Sequence, residues 1–222
     1  MIDLQDLLTK SLVGHDQSRA RSKQIEIGPS SAGGCRRRVW HDLKQTEKTN
    51  QTETLAAILG TFIHSGVEKS IQRLDPFGDN YLIELEVSHE GLKGHCDLFI
   101  KDQGLVVDWK TTTKKGARYF GNQQQRWQIQ LYGWLLANNG YEVKDVALVG
   151  IPRDGGMKDI LVHKEPYNPA IALDALDWLQ EIKDIVAQNK TAPEPEKPIA
   201  FCASYCPYYD PTGEIGCPST VK

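Results

Sequence analysis

Asp97, Asp108 and Lys110 are the residues whose types and spacing point most directly to chemistry. Two carboxylates and an ammonium at a sheet edge would hold a hard divalent cation, Mn2+ or Mg2+, beside a phosphodiester. They would also stabilise the charge that builds up as water attacks it. Side chains two apart on a strand share a face, so Asp108 and Lys110 should project together while Trp109 points the other way. Asp97 precedes them on a separate β-rich segment and would reach the same ion across a hairpin. His64 would complete an Asp, Asp, His donor set, and its nitrogen tilts preference toward Mn2+. Glu68 and Glu86 are further acids that could join. Gln128 and Tyr132 are one helical turn apart and face the same way, suited to binding a nucleic-acid backbone or ordering Lys110.

The elements that must position these groups are readable from periodicity. Apolar residues from Leu55 to Leu74 recur at helical spacing and predict a helix carrying His64. YLIELEVSH, LKGHCDLFI and GLVVDWKTT are short β-rich runs broken by Glu90-Gly91 and Asp102-Gln103-Gly104, an antiparallel meander. A helix is predicted from Tyr119 to Ala137 or Asn139. VKDVALVGIP and KDILVHKEP follow as strands, then Pro169–Gln188 as a long helix. Ser30 or Ser31 would cap a helix through Cys35 to Leu43. The order favours an α/β fold, a mixed central sheet flanked by helices. Residues 1–30 are expected as a flexible N-terminal segment, 31–190 as the core and 191–222 as a cysteine-bearing tail.

A chain of 222 residues with 40% hydrophobic content can bury a core without a staple. Its 26 Lys plus Arg against 29 Asp plus Glu argue against a protein that coats DNA, but a nuclease needs only local basic surface. Arg36, Arg37, Arg38 and Lys44 would supply one phosphate-contact patch. Lys114, Lys115, Arg118, Tyr119, Phe120, Arg126 and Trp127 interleave charge with aromatics, which suits single-stranded nucleic acid. No run is long and apolar enough for a membrane span and no secretory signal opens the chain, so a cytoplasmic protein with no membrane partner is expected. A nucleotide-binding Gly-rich loop is also lacking, so any unwinding would need a helicase or recombination partner.

In that compartment, five cysteines favour thiolate ligands over disulfides. Cys35, Cys202, Cys206 and Cys217 would hold either a 4Fe-4S cluster or tetrahedral Zn2+, joining the two ends of the chain, with Cys96 left to pack beside the central strands.

Gly60-x-x-x-His64, Gly94-x-x-Asp97, Asp108-Trp109-Lys110 and Gln128-x-x-x-Tyr132, in this order, resemble the RecB-like branch of the PD-(D/E)XK nuclease superfamily. The likeness runs from Ser31 to Cys217 and is nearest to CRISPR-associated RecB-like iron-sulfur exonucleases and their phage relatives. It implies a restriction-endonuclease-like core in which His64, Asp97, Asp108 and the Trp109 carbonyl hold the ion and Lys110 is catalytic. Gln128 and Tyr132 would support the site and the bound strand. It implies a 4Fe-4S cluster on the four cysteines, and single-stranded DNA cut exonucleolytically, commonly 5′ to 3′. Because the chain is compact and lacks evident CRISPR-specific features, a phage or mobile-element enzyme of recombination or repair, working in the host cytoplasm, is favoured. The alternatives are a structure-specific endonuclease and a non-cleaving DNA-binding or CRISPR-interfering module.

Overall fold

Strand β1 (Tyr81–His89) folds back on β2 (Leu92–Ile100) through Glu90-Gly91, both at positive φ, 46° and 75°. That conformation matches the twist of a two-residue hairpin and fixes the register. β3 (Leu105–Thr112) continues the antiparallel meander, and β4 (Asp145–Pro152) then lies parallel to β3 after a helical crossover. β5 (Leu161–Pro166) closes the edge, giving a five-stranded mixed sheet in the order β1-β2-β3-β4-β5. The computed structural model describes residues 3–18, 27–50, 55–195 and 202–218. Of residues 1–30, expected as a flexible N-terminal segment, 1–2 and 19–26 lie outside the described residues.

Helices cover both faces of this sheet. On one face pack α4 (Gln123–Asn138), α5 (Pro169–Ala187) and α2 (Arg36–Lys44), around Phe99, Val106, Val146, Leu148, Leu135 and Ile182. Each of these fully buried apolar side chains contributes roughly 1.5–3 kcal/mol by leaving water. On the other face α3 (Leu55–Gln72) packs Val67 and Ile71 against Leu98, Val107, Trp109 and Ala147, and α1 (Leu4–Ser18) touches α3. Among the described residues no helix is long and apolar enough to cross a membrane.

Two helix starts differ from expectation. α2 begins at Arg36, with Cys35 as its N-cap residue, because Gly33 at φ 74° separates it from a 3-10 turn at Pro29–Ser31. α4 begins at Gln123 rather than Tyr119, because the Asn122 side chain accepts the Gln125 N–H and resets the N-terminus.

The tail returns to α2 through polar contacts. The Tyr208 hydroxyl donates to Asp42 at 2.7 Å, and Asn50 Nδ2 donates to the carbonyls of Ala203 and Cys206 at 2.8 and 2.9 Å. Asp210 organises the loop, accepting from Thr212 N, Thr212 Oγ1, Ile215 N and Gly216 N at 2.7–3.1 Å. The Thr212 hydroxyl, then the Gly216 and Ile215 N–H groups, hold the Asp210 carboxyl well below the usual carboxylate range. Because its folded value lies below its unfolded one, its contribution is complete above the ordinary carboxylate value and fades as pH falls through the folded value. Asp210→Ala is expected to free the tail at neutral pH, seen as earlier cleavage near residues 206–218 in limited proteolysis. The parent tail should stay protected at pH 5. An unchanged digestion pattern would show that the tail is held by other contacts.

Candidate active site

The sheet forks where the acids lie. β2 and β3 pair only from Leu98–Val107 to Ile100–Leu105. Beyond that the Asp97 carboxylate replaces the ladder, its Oδ2 accepting the backbone N–H of Trp109 at 3.0 Å. Asp97 is 3% exposed and Asp108 2%, so both acids are set inside the fork rather than on a charged rim. Lys110 Nζ, projecting beside Asp108 as period two requires, contacts its two carboxylate oxygens at 2.8 and 3.0 Å. Gln128 Nε2 donates to Asp108 Oδ1 at 2.9 Å.

The fork opens into a cavity of about 930 Å3 whose walls include Asp97, Asp108, Lys110, Gln128, Tyr132 and His64. The residues singled out for chemistry are thus brought to one place, from α3, β2, β3 and α4. Trp109 points to the opposite core, as expected, and meets the His64 ring edge-on at 6.1 Å between centroids. The Tyr132 ring packs close against Gly94 of β2. A Cβ on Gly94 would come within 2.9 Å of both Tyr132 Cε1 and Pro29 Cδ. Gly94→Ala is therefore expected to push the Tyr132 ring out of the cavity, destabilising the fold by about 1–3 kcal/mol. Thermal melting and the single-turnover cleavage rate should both fall; a parental Tm would mean that Pro29 and Tyr132 yield freely.

The donor set does not match the expected cofactors. Among the described residues no group of three or more His, Cys, Asp or Glu side chains is arranged to hold a metal ion. This corrects the expectation of Mn2+ or Mg2+ on His64, Asp97, Asp108 and the Trp109 carbonyl. Asp97 is engaged by a backbone N–H and Asp108 by Lys110 and Gln128, while His64 Nδ1 stands 3.8 Å from Asp97 Oδ2. Glu86, the undecided extra acid, is taken by Lys93 at 2.9 Å and His95 at 3.3 Å.

The same finding corrects the 4Fe-4S or Zn2+ centre. Cys35, Cys202, Cys206 and Cys217 line one cavity of about 790 Å3, but all are free thiols and form no ligand cluster. Burial raises the Cys206 thiol. The ends are joined instead by the Tyr208–Asp42 bond and the bonds from Asn50 to Ala203 and Cys206, while Asp210 ties the tail loop to itself. Cys96 packs in the core as expected; burial, then Asp97 and Asp108, push its thiol well up.

The expected basic patches also divide. Arg36 pairs with Glu181 at 2.7 Å and lies over Trp178, and Lys44 donates to Asn189 Oδ1 at 3.3 Å. Arg126 pairs with Glu165 at 2.8 Å and Lys114 with Asp159 at 3.0 Å. Sequence reasoning missed Lys93 and His95 as cavity residues, although alternation along β2 places them on the face of Asp97. It also missed Lys48, Asp42 and Tyr208, which only the folded chain brings there.

The profile of the PD-(D/E)XK nuclease superfamily matches residues 77–210. Among solved structures, SSO0001 superposes with a TM-score of 0.57 at 19% identity, covering 100% of this chain and 99% of that one. An alkaline exonuclease (LHK-Exo) from Laribacter hongkongensis superposes with a TM-score of 0.52 at 10% identity, covering 76% and 91%. At these identities the likeness is one of fold. No curated protein matches the sequence.

Proposed function

The chain belongs to the PD-(D/E)XK nuclease superfamily, and from that premise we propose that it is an exonuclease that hydrolyses the phosphodiester bonds of single-stranded DNA, 5′ to 3′, in recombination or repair. The observation that carries this reading is the gathering of Asp97, Asp108, Lys110, Gln128 and Tyr132 around one cavity at the fork of β2 and β3. The fold shared with the Laribacter hongkongensis alkaline exonuclease supports it. The order of the Gly60-His64, Gly94-Asp97, Asp108-Lys110 and Gln128-Tyr132 motifs supports placement in the RecB-like branch. The 5′ to 3′ direction rests on that resemblance alone.

The chemistry this chain's own residues supply is electrostatic. Lys110 Nζ is presented at the cavity with its side chain 24% exposed, and the Asp108 carboxylate fixes its position. An ammonium so held meets the charge that develops on the phosphoryl oxygens as water attacks, without reorganising at that moment. Gln128 holds Asp108 from the other side, so the carboxylate cannot swing away as the substrate enters. A cavity of about 930 Å3 is of the size that takes a small ligand, which suits a few nucleotides of one strand and not a duplex.

The test is degradation of end-labelled linear single-stranded DNA beside a closed circle of the same sequence, with EDTA and with divalent cation supplied. Loss of the linear strand with the circle intact is expected, and release of a 5′ label first as short product gives the direction. Cutting of the circle would replace the exonuclease with an endonuclease. Binding of both without cutting would leave a DNA-binding module of the same fold.

A further inference from the structure

The cavity does not end at the acids. Its walls also include His95 and Lys93 of β2, Arg38 of α2, Lys48 and Tyr208 of the tail. The chain as a whole carries a net charge of −3, so this wall opposes the global field. Some of the cations outside the cavity are neutralised by neighbours: Lys10 by Asp6, Arg36 by Glu181, Arg126 by Glu165, Lys164 by Asp145. Arg38 and Lys48 are exposed and form no ion pair among the described residues. Asp42, an acid on the same cavity wall, accepts the Tyr208 hydroxyl at 2.7 Å.

We infer that Arg38 and Lys48 bind the phosphates of the single strand that runs on from the bond being cut. This rests on the nuclease reading and deepens it. Positive charge left uncompensated at the end of a cleft costs no desolvation until an anion arrives, and a nucleic-acid backbone offers one phosphate per nucleotide. Arg38 presents a planar fork that takes two phosphoryl oxygens together, while Lys48 acts as a point charge. Only Arg38 of the Arg36–Arg38 run lines the catalytic cavity. Arg36 is spent on Glu181 and Trp178, and Arg37 turns to the cysteine-lined cavity. Neither Arg38 nor Lys48 is assigned to the chemical step, so the pair sets affinity and grip.

The experiment compares Arg38→Gln/Lys48→Gln with a charge-matched control, Lys144→Gln/Lys164→Gln, whose lysines lie outside the cavity. Binding of a fluorescent oligothymidylate is followed by anisotropy over a range of salt, with each pair placed in an Asp108→Asn background to prevent cleavage. Removing two phosphate contacts is expected to reduce the salt slope of log K by about 1.4 and weaken binding about tenfold or more at moderate salt, with the control unchanged. In the cleaving protein KM should rise while kcat stays within about twofold. Arg38→Lys/Lys48→Arg, which keeps both charges, should restore the slope, a rescue that a purely structural role would not predict. A parental slope and KM in the Gln pair, or a fall in kcat at constant KM, overturns the inference and leaves the nuclease reading standing. A parent that neither binds nor cuts DNA overturns both.

Discussion

Asp108→Asn is expected to stop cleavage, with kcat falling on the order of 10³-fold, while the protein still folds. The Asp108 carboxylate is 2% exposed and takes Lys110 on both oxygens and Gln128 on one. Asn preserves its volume but replaces one acceptor oxygen with a donor, which must then face an ammonium or an amide that also donates. Lys110 consequently loses the group that fixes it and turns toward solvent, which its partial exposure permits. Lost preorganisation should therefore be felt in the rate far more than in the fold. Single-turnover cleavage of a linear strand gives the rate, and thermal melting and circular dichroism report the fold. A well-folded Asp108→Asn protein that cuts at the parental rate would remove this carboxylate from the mechanism.

Lys110→Met should cost on the order of 10²- to 10³-fold in kcat and leave KM within about threefold. Met keeps most of the apolar stem and deletes only the charge. If the ammonium acts on charge that exists only in the transition state, its removal lowers kcat and kcat/KM together. A rise in KM with unchanged kcat would instead make Lys110 a ground-state phosphate contact. Lys110→Arg should not restore the rate, because the broad guanidinium fork cannot occupy the compact position set by Asp108 and Gln128. Parental turnover in Lys110→Met would sink the electrostatic role.

These groups were visible before folding because each is tied to a local period. Alternation on β3 aligns Asp108 with Lys110, and a helical turn aligns Gln128 with Tyr132. The cysteines misled for a complementary reason. A tail poor in apolar periodicity invited a metal as its fastener, whereas Asp210, Asn50 and Tyr208 hold it by bonds to backbone and to one carboxylate. Such bonds depend on single polar atoms and carry no sequence period.

The sequence by itself determined the α/β order, the meander and the chemistry-bearing pairs, because side-chain direction along a helix or strand repeats over a few residues. Only the tertiary structure decided that β2 and β3 part beyond the Leu98–Val107 pair, on the Asp97 side, that Asp97 fills the gap by accepting the Trp109 N–H, and that Arg38, Lys48 and Tyr208 wall the same cavity. Strand register, the close approach of Tyr132 to Gly94 and the return of the tail to Asp42 join residues far apart in the chain. Packing of the whole core fixes those contacts, and no local backbone preference encodes them.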